Sequence, residues 1–187
     1  MLFRSQNYME AFRELILPAA EVLVGNHKTL TDFLLPDWDN ERAPSARELA
    51  VAAGEHGTRF VLVTGVMLPS KGKEQWIDNV LASPQGALTG EKFELFEAGF
   101  VGAGDTLSAA LAALLASGAE LSDAVGEALQ FLDQSLDAGF RPGMGNVVPD
   151  RFFWALPPSE DGEAPAEGDA EPDDNSGLPP GASRRVH

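Results

Sequence analysis

The chain has 187 residues, of which 44% are hydrophobic and 22% charged, a composition typical of globular proteins. It has no cysteine, which excludes disulfides and thiolate metal sites. The histidines at positions 27, 56 and 187 lack ligand spacing, so we expect no metal site on the protein itself. No apolar run is long enough to cross a bilayer and the first residues do not form a signal peptide, so we expect a cytoplasmic protein without membrane contact.

The formal net charge of −16 is divided between the carboxyl end of the chain and the part before it. Residues 159–187 hold eight acidic residues against Arg184 and Arg185, among many Pro, Gly and Ala. Such a segment buries too little apolar surface to fold, so we expect a disordered acidic tail over 158–187. The rest of the chain keeps 21 acidic and 11 basic residues. This excess of acid argues against a nucleic-acid partner, because that binding depends on Lys and Arg.

The amino-terminal residues MLFRS are what a common sequencing adapter gives when it is translated. We therefore expect residues 1–5 to be an assembly artefact and the gene to be truncated on its 5′ side. We expect the folded domain to cover residues 6–157.

The first half of the chain alternates helical and strand patterns. YMEAFRELILP predicts a helix with an apolar face that ends at Pro18, and AEVLVGN predicts a buried strand. HKTLTDFLLPDW predicts a short helix, and a capping box at Ser45 and Glu48 predicts the start of another, which ends at Gly57. RFVLVTG predicts a second buried strand.

The second half begins with a polar loop, MLPSKGKEQW, and a pair of antiparallel strands, WIDNVLAS and EKFELFEAGF, around the turn PQGALTG. A helix rich in Ala and Leu follows Asp105 and is expected to be buried, and another begins at Ser122 and ends at Gly139. Helices that alternate with buried strands predict an α/β fold with a mainly parallel sheet flanked by helices. Only two or three parallel strands are visible, so we expect N-terminal strands to be missing.

The segment Gly102-Ala103-Gly104-Asp105 carries the clearest chemical signal. Small residues let the backbone approach a ligand, and the free amides at a helix N-terminus favour an anion. An acid in this place could accept a proton from an attacking hydroxyl while the amides stabilise a transferring phosphoryl group. The alternative is that Asp105 is a helix N-cap and the glycines form a tight turn. The spacing alone leaves both interpretations open.

Four blocks of sequence, in order, resemble the C-terminal part of the ribokinase-like vitamin kinases. They are EAFRELILPAAEVLVGN, RFVLVTG, GAGDTLSAALAALLASG and GMGNVVPDRFF, and GAGD with its helix is the most specific. The chain resembles the hydroxymethylpyrimidine/phosphomethylpyrimidine kinase family in particular, and is also close to pyridoxal kinase. The resemblance implies a three-layer ribokinase-like fold and ATP-dependent phosphorylation of a small hydroxymethyl-bearing heterocycle in thiamine biosynthesis. ATP and Mg²⁺ are the implied cofactors.

The resemblance also implies roles for individual residues. Asp105 becomes the catalytic base, and the amides of Gly102, Ala103, Gly104 and Asp105 form an anion hole around the γ-phosphate. By the same resemblance Thr64 and Gly65 lie at the nucleotide phosphates and Asn26 near Mg-ATP, while Lys71 and Lys73 belong to the nearby loop, where solvated charges are the favoured interpretation.

The chain departs from the family pattern at three positions. Gly25 replaces a Pro, Thr29 stands where the family has a Glu, and many pyrimidine kinases have Cys in place of Asp105. Asp at this position is commoner in pyridoxal and sugar kinases. Pyridoxal kinase and a non-catalytic nucleotide-binding protein with a degenerate kinase fold are therefore the alternatives. We expect the chain alone, as a truncated fragment, to be inactive. The sequence is compatible with a homodimer and does not decide the oligomeric state.

Overall fold

A four-stranded sheet with helices on both faces forms the part of the chain that the computed structural model describes, which is residues 2–69, 72, 74–96 and 98–155. The predicted acidic tail over 158–187 and the end of the predicted domain at residue 157 lie outside these residues. Lys71 and Lys73 also lie outside them. The proposed artefact, residues 1–5, overlaps the first helix, and its origin stays a prediction.

The helices and strands predicted from the sequence are all present. The helices are α1 (Leu2–Ala11), α2 (His27–Leu34), α3 (Ala46–Glu55), α4 (Ala103–Ala116) and α5 (Leu121–Asp137). The strands are β1 (Val22–Asn26), β2 (Phe60–Met67), β3 (Trp76–Ser83) and β4 (Gly86–Glu94). Helix α1 continues through a π-helical turn (Phe12–Ile16) and a 3₁₀ turn (Leu17–Ala19), and a 3₁₀ turn (Phe153–Ala155) follows at the other end.

The sheet is mixed, whereas the sequence predicted a mainly parallel one. Its strand order is β1-β2-β3-β4; β1 and β2 are parallel, but β2–β3 and β3–β4 are antiparallel. The connection from β1 to β2 holds two helices and is long enough for a parallel crossover. Residues 68–75 form a connection too short for one, so β3 returns antiparallel to β2. The predicted antiparallel pair is confirmed, although β4 begins earlier than predicted, at Gly86.

The three predicted layers are confirmed, with the helices in two separate groups. Helices α2 and α3 cover one face, where Leu30 and Leu49 pack with Val61 and Val63 of β2. Helices α4 and α5 cover the other face around Leu62 and Leu81, in a cluster completed by Leu107, Leu111, Ala124, Val125, Ala128 and Leu129. The alternation along β2 is the period-2 pattern of a strand buried on both sides.

The predicted start and end of α3 are both confirmed. Ser45 is the N-cap, and its side chain accepts from the Glu48 amide while the Glu48 carboxylate accepts from the Ser45 amide. Hydrogen bonds from Arg42 and Ser45 hold the pKa of the Glu48 carboxyl well below its usual range. Gly57 follows the helix with a φ of 95°, a conformation that favours glycine.

The apolar face predicted for the first helix is exposed. Tyr8 and Leu15 are 75% and 70% exposed, and Met9, Phe12 and Ile16 are also exposed. Strand β1, which follows, lies at the end of the sheet and pairs with β2 on one side; no described strand pairs with its other side. An apolar helix face and an open strand edge therefore occur at the same end of the described fold.

Candidate functional site

Asn26, Thr64 and Gly65 lie together at the carboxyl ends of the two parallel strands. Asn26 and Thr64 are register partners of β1 and β2. The Asn26 side chain caps α2 by accepting from the Lys28 amide at 3.0 Å, and Thr64 Oγ1 donates to the Gly25 carbonyl at 3.3 Å. Carboxyl ends of parallel strands are where α/β folds place their ligands. The structure thus brings these three residues together, and their contact with a nucleotide stays a prediction.

Two features of the structure explain why residue 65 is a glycine. Its φ is +69°, in the left-handed region, and a Cβ there would lie 2.7 Å from Asn26 Nδ2.

Asn79 contacts the same strand end. The Gly65 amide donates to Asn79 Oδ1 at 3.1 Å, and Asn79 Nδ2 donates to the Glu91 carbonyl at 3.3 Å. The sequence analysis missed Asn79, which is 4% exposed. A buried amide in the middle of a β-strand was the only available signal.

Helix α4 begins at Ala103, three residues earlier than an Asp105 cap would place it. Gly102 is the N-cap with a φ of 88°, and its carbonyl accepts from the Thr106 amide at 2.9 Å. Asp105 is therefore the third residue of the helix, so the interpretation of Asp105 as an N-cap is wrong. The amides of Ala103, Gly104 and Asp105 have no hydrogen-bond acceptor in the described part of the chain.

The Asp105 side chain is exposed at this helix start. Within the described residues its carboxylate makes no side-chain hydrogen bond and no ion pair. Nothing in the described structure lies within 4 Å of a Cβ added at Gly104, so the space over the first turn is open. A free carboxylate thus stands next to free amides and open space.

Arg151 also lies at the start of α4, which the sequence analysis missed. Its Nε donates to Thr106 Oγ1 at 2.9 Å, and the same hydroxyl donates to the Gly102 carbonyl at 2.8 Å. A Cβ on Gly102 would lie 3.0 Å from Arg151 Nη2. No sequence signal links Arg151 to the start of α4, because the two are 45 residues apart in the chain and meet only in the folded structure.

A cavity of about 590 Å³ extends from this point along α4 and α5. The residues around it are Asp105, Thr106, Ala109, Ala110, Ala113, Leu114, Glu127, Phe131 and Arg151. Ala109 and Ala113 are exposed, so α4 is buried on one face only, whereas its composition predicted a buried helix. Thr64, Gly65 and Asn26 are not among the residues around the cavity.

The departures at Gly25 and Thr29 have different structural settings. A Cβ on Gly25 would lie 2.8 Å from Leu30 Cγ, so the buried Leu30 side chain occupies the space next to this residue. Thr29 is exposed in the first turn of α2.

The described residues contain no cluster of three His, Cys, Asp or Glu side chains that could hold a metal ion.

The family model described as phosphomethylpyrimidine kinase matches residues 2–150. The chain belongs to the phosphomethylpyrimidine kinase family. Within the curated proteins, it is similar to the thiamine biosynthetic bifunctional enzyme TH1, chloroplastic, of Arabidopsis thaliana, with 33% identity over 135 residues. That match covers 69% of this chain and 24% of the relative.

Solved structures of pyridoxal kinases have the same fold as this member of the phosphomethylpyrimidine kinase family. The ADP complex of the Bacillus subtilis pyridoxal kinase has a TM-score of 0.63 at 24% identity, over 81% of this chain and 55% of that one. The Staphylococcus aureus pyridoxal kinase with AMP-PCP and pyridoxal has a TM-score of 0.66 at 19% identity, over 80% and 54%. The chain therefore spans about half the length of these structures, and the predicted ribokinase-like fold is confirmed.

In the described residues, no helix has the length and apolar character that a membrane span requires.

Proposed function

We propose that the protein transfers the γ-phosphoryl group of ATP to the hydroxymethyl group of a hydroxymethylpyrimidine or phosphomethylpyrimidine in thiamine biosynthesis. Membership of the phosphomethylpyrimidine kinase family supports the reaction class. The observation that carries the proposal is the start of α4, where a carboxylate without a side-chain partner adjoins three amides without acceptors in the described structure. This pairs a base for a hydroxyl with an electrostatic site for a phosphoryl group.

In the proposed reaction Asp105 accepts the proton of the substrate hydroxyl as its oxygen attacks the γ-phosphorus. The amides of Ala103, Gly104 and Asp105 face the charge on the transferring group, where a helix N-terminus is most favourable to an anion. The exposure of Asp105 and the open space at Gly104 give a substrate access to both. Phosphoryl transfer depends mainly on such positioning and charge stabilisation.

We assign the nucleotide phosphates to the ends of β1 and β2, at Thr64, Gly65 and Asn26. The support for this is that the three residues share one edge of the sheet, at the carboxyl ends of parallel strands. Mg²⁺ neutralises phosphate charge and commonly enters such sites bound to the nucleotide with few protein ligands. The Asn26 amide oxygen is of the ligand type that suits it, although here it also accepts from the Lys28 amide.

Pyridoxal is the second candidate substrate. Asp105 favours it by the resemblance, since many pyrimidine kinases have Cys at this position. Pyridoxal kinases are also among the structures that share the fold, and one of them binds pyridoxal.

We further propose that the active unit contains sheet strands that precede residue 6, so that this chain alone is inactive. The open edge of β1 supports this, and so does the exposed apolar face of α1 and the π-helical turn after it, including Tyr8 and Leu15, because an apolar face and a strand edge are normally covered. A homodimer, the cytoplasmic location and the absence of a nucleic-acid partner stay predictions from the sequence.

An assay of ATP-dependent transfer tests the proposal. The protein is produced as its genomic locus encodes it, and is incubated with MgATP and hydroxymethylpyrimidine, phosphomethylpyrimidine or pyridoxal in parallel. We expect transfer to the pyrimidines with higher kcat/KM than to pyridoxal. Higher kcat/KM with pyridoxal would establish the second candidate. ATP binding without transfer to any of them would contradict a kinase and support the non-catalytic alternative.

Replacing Gly65 with Ala is expected to weaken ATP binding. The new Cβ strains a residue with a φ of +69° and pushes Asn26 away from the strand end. We expect the Kd for ATP, measured by calorimetry, to rise about tenfold, which corresponds to roughly 1.4 kcal/mol. Gly86→Ala is the matched control, because nothing lies within 4 Å of a Cβ there. An unchanged Kd in Gly65→Ala would remove Gly65 from the nucleotide site.

A further inference from the structure

We propose that Arg151 binds the transferred phosphoryl group and stabilises the charge that it carries during transfer. This inference rests on the proposed kinase function and adds to it a residue outside the GAGD segment. Its basis is the position of the guanidinium at the start of α4, where it lines the same cavity as Asp105.

The Thr106 hydroxyl fixes the orientation of the guanidinium. Thr106 Oγ1 donates to the Gly102 carbonyl and accepts from Arg151 Nε, and Thr106 is 3% exposed. The hydrogen bond to Thr106 thereby holds Arg151 Nε at the start of α4. Nη2 lies next to Gly102, and a side chain at Gly102 would block it. The absence of a side chain at Gly102 therefore keeps Nη2 at the loop that forms the anion site.

The remaining donors of Arg151 are available to a ligand. Within the described residues Arg151 makes no ion pair and no hydrogen bond other than the one to Thr106. Its distance from Asp105 exceeds the limit of an ion pair, although both residues line the cavity. Arginine presents donors in a planar fork that matches phosphate oxygens. A cation with free donors at this position therefore suits a phosphoryl group.

The charges of the residues around the cavity also favour this role for Arg151. Asp105 and Glu127 are acidic, and Arg151 is the one basic residue among the described residues that surround the cavity. A nucleotide phosphate that approaches Asp105 meets a like charge, which the amide dipoles offset only in part. A guanidinium beside the loop supplies the missing positive charge without using the Asp105 carboxylate.

Asp105, the amides at the start of α4 and Arg151 act on different atoms in one step. The substrate oxygen forms a bond to the γ-phosphorus, the bond from this phosphorus to the β,γ-bridging oxygen breaks, and ADP leaves with that electron pair. The hydroxyl proton goes to Asp105. Arg151 donates hydrogen bonds to non-bridging oxygens of the transferring group, with no covalent role.

The test compares Arg151→Met, Arg151→Lys and Arg151→Ala in the protein as its locus encodes it, with MgATP and the acceptor that the assay identifies. For Arg151→Met we expect kcat to fall about 100-fold while the acceptor KM changes little. Arg151→Lys keeps a charge and loses the fork, so its loss is expected to be smaller. We expect guanidinium ion in the buffer to restore part of the kcat of Arg151→Ala. Arg141→Met is the control, because Arg141 lies in the same segment and its Nη1 donates only to the Gly145 carbonyl among the described residues.

Three outcomes separate the inference from the proposed function. Transfer by the unmodified protein with unchanged kcat in Arg151→Met would overturn the role of Arg151 and leave the kinase function standing. A lower melting temperature with kcat losses that neither Lys nor guanidinium restores would also overturn it, since that result indicates an anchor of the segment. No transfer and no ATP binding by the unmodified protein would contradict the kinase function and, with it, this inference.

Discussion

Replacing Asp105 with Asn is expected to reduce kcat by about 10³-fold or more, because the variant keeps the shape of the side chain and loses the proton acceptor. The side chain makes no hydrogen bond or ion pair in the described structure, so the change disturbs no contact there. The amides of the first turn of α4 are unchanged, and ATP binding is expected to be kept. Steady-state kinetics with the preferred acceptor and calorimetry with ATP measure the two effects separately.

Asp123→Asn is the matched control for this substitution. Asp123 occupies the first turn of α5 as Asp105 occupies that of α4, and it is also exposed. Both variants lose the same favourable interaction of an acid with a helix N-terminus, so their changes in stability should be similar and small. A kcat of Asp105→Asn within a factor of three of that of Asp123→Asn would show that Asp105 is not the base.

Replacing Gly139 with Ala is expected to destabilise the fold by about 2–3 kcal/mol, the largest effect on stability that we predict. A Cβ there would lie 2.8 Å from Phe100 Cε1, 2.9 Å from the Leu136 carbonyl oxygen and 3.0 Å from Val147 Cγ1. One of these neighbours is backbone, so the contact cannot be relieved by turning a side chain. Thermal unfolding should show a melting temperature lower by roughly 4–10 °C.

The Gly139 site also holds the segment that carries Arg151. Residue 140 pairs with residue 148, residue 100 pairs with residue 147, and the Asp150 amide donates to the Ser135 carbonyl at 2.8 Å. Gly139→Ala should therefore lower kcat as well, since it displaces the segment that presents Arg151. Gly126→Ala is the control: it lies inside α5 with nothing within 4 Å of its Cβ, and it should raise stability by about 0.5–1 kcal/mol. Equal stability of the two variants would contradict the packing at Gly139.

Local patterns predicted the elements of this fold well. The capping box at Ser45 and Glu48 identified the start of α3, and a continuous run of apolar residues identified β2 as a buried strand. Both signals lie within a few residues, and both express contacts that form inside or directly beside one element. The GAGD segment was recognised for the same reason, because its small residues and its helix are contiguous.

Features that depend on distant contacts could not be predicted in the same way. The direction of β3 follows from the short connection between β2 and β3, residues 68–75. The pattern of apolar residues within a strand does not contain this constraint. The exposed Ala109 and Ala113 face of α4 has the composition of a buried helix, since alanine suits both environments. Arg151 reaches Thr106 only through the fold of the terminal segment, and no spacing in the sequence shows this contact.

The central claim, that the start of α4 binds the γ-phosphoryl group of ATP, is tested most directly by NMR. The amide resonances of the ¹⁵N-labelled protein, as its locus encodes it, are recorded during titration with MgATP and, separately, with Mg²⁺ alone. We predict that the amides of Ala103, Gly104 and Asp105 move most with MgATP and stay in place with Mg²⁺. Gly118, beyond the other end of α4, serves as the internal reference and should not move. Saturation with MgATP that leaves these three amides unmoved would contradict the account.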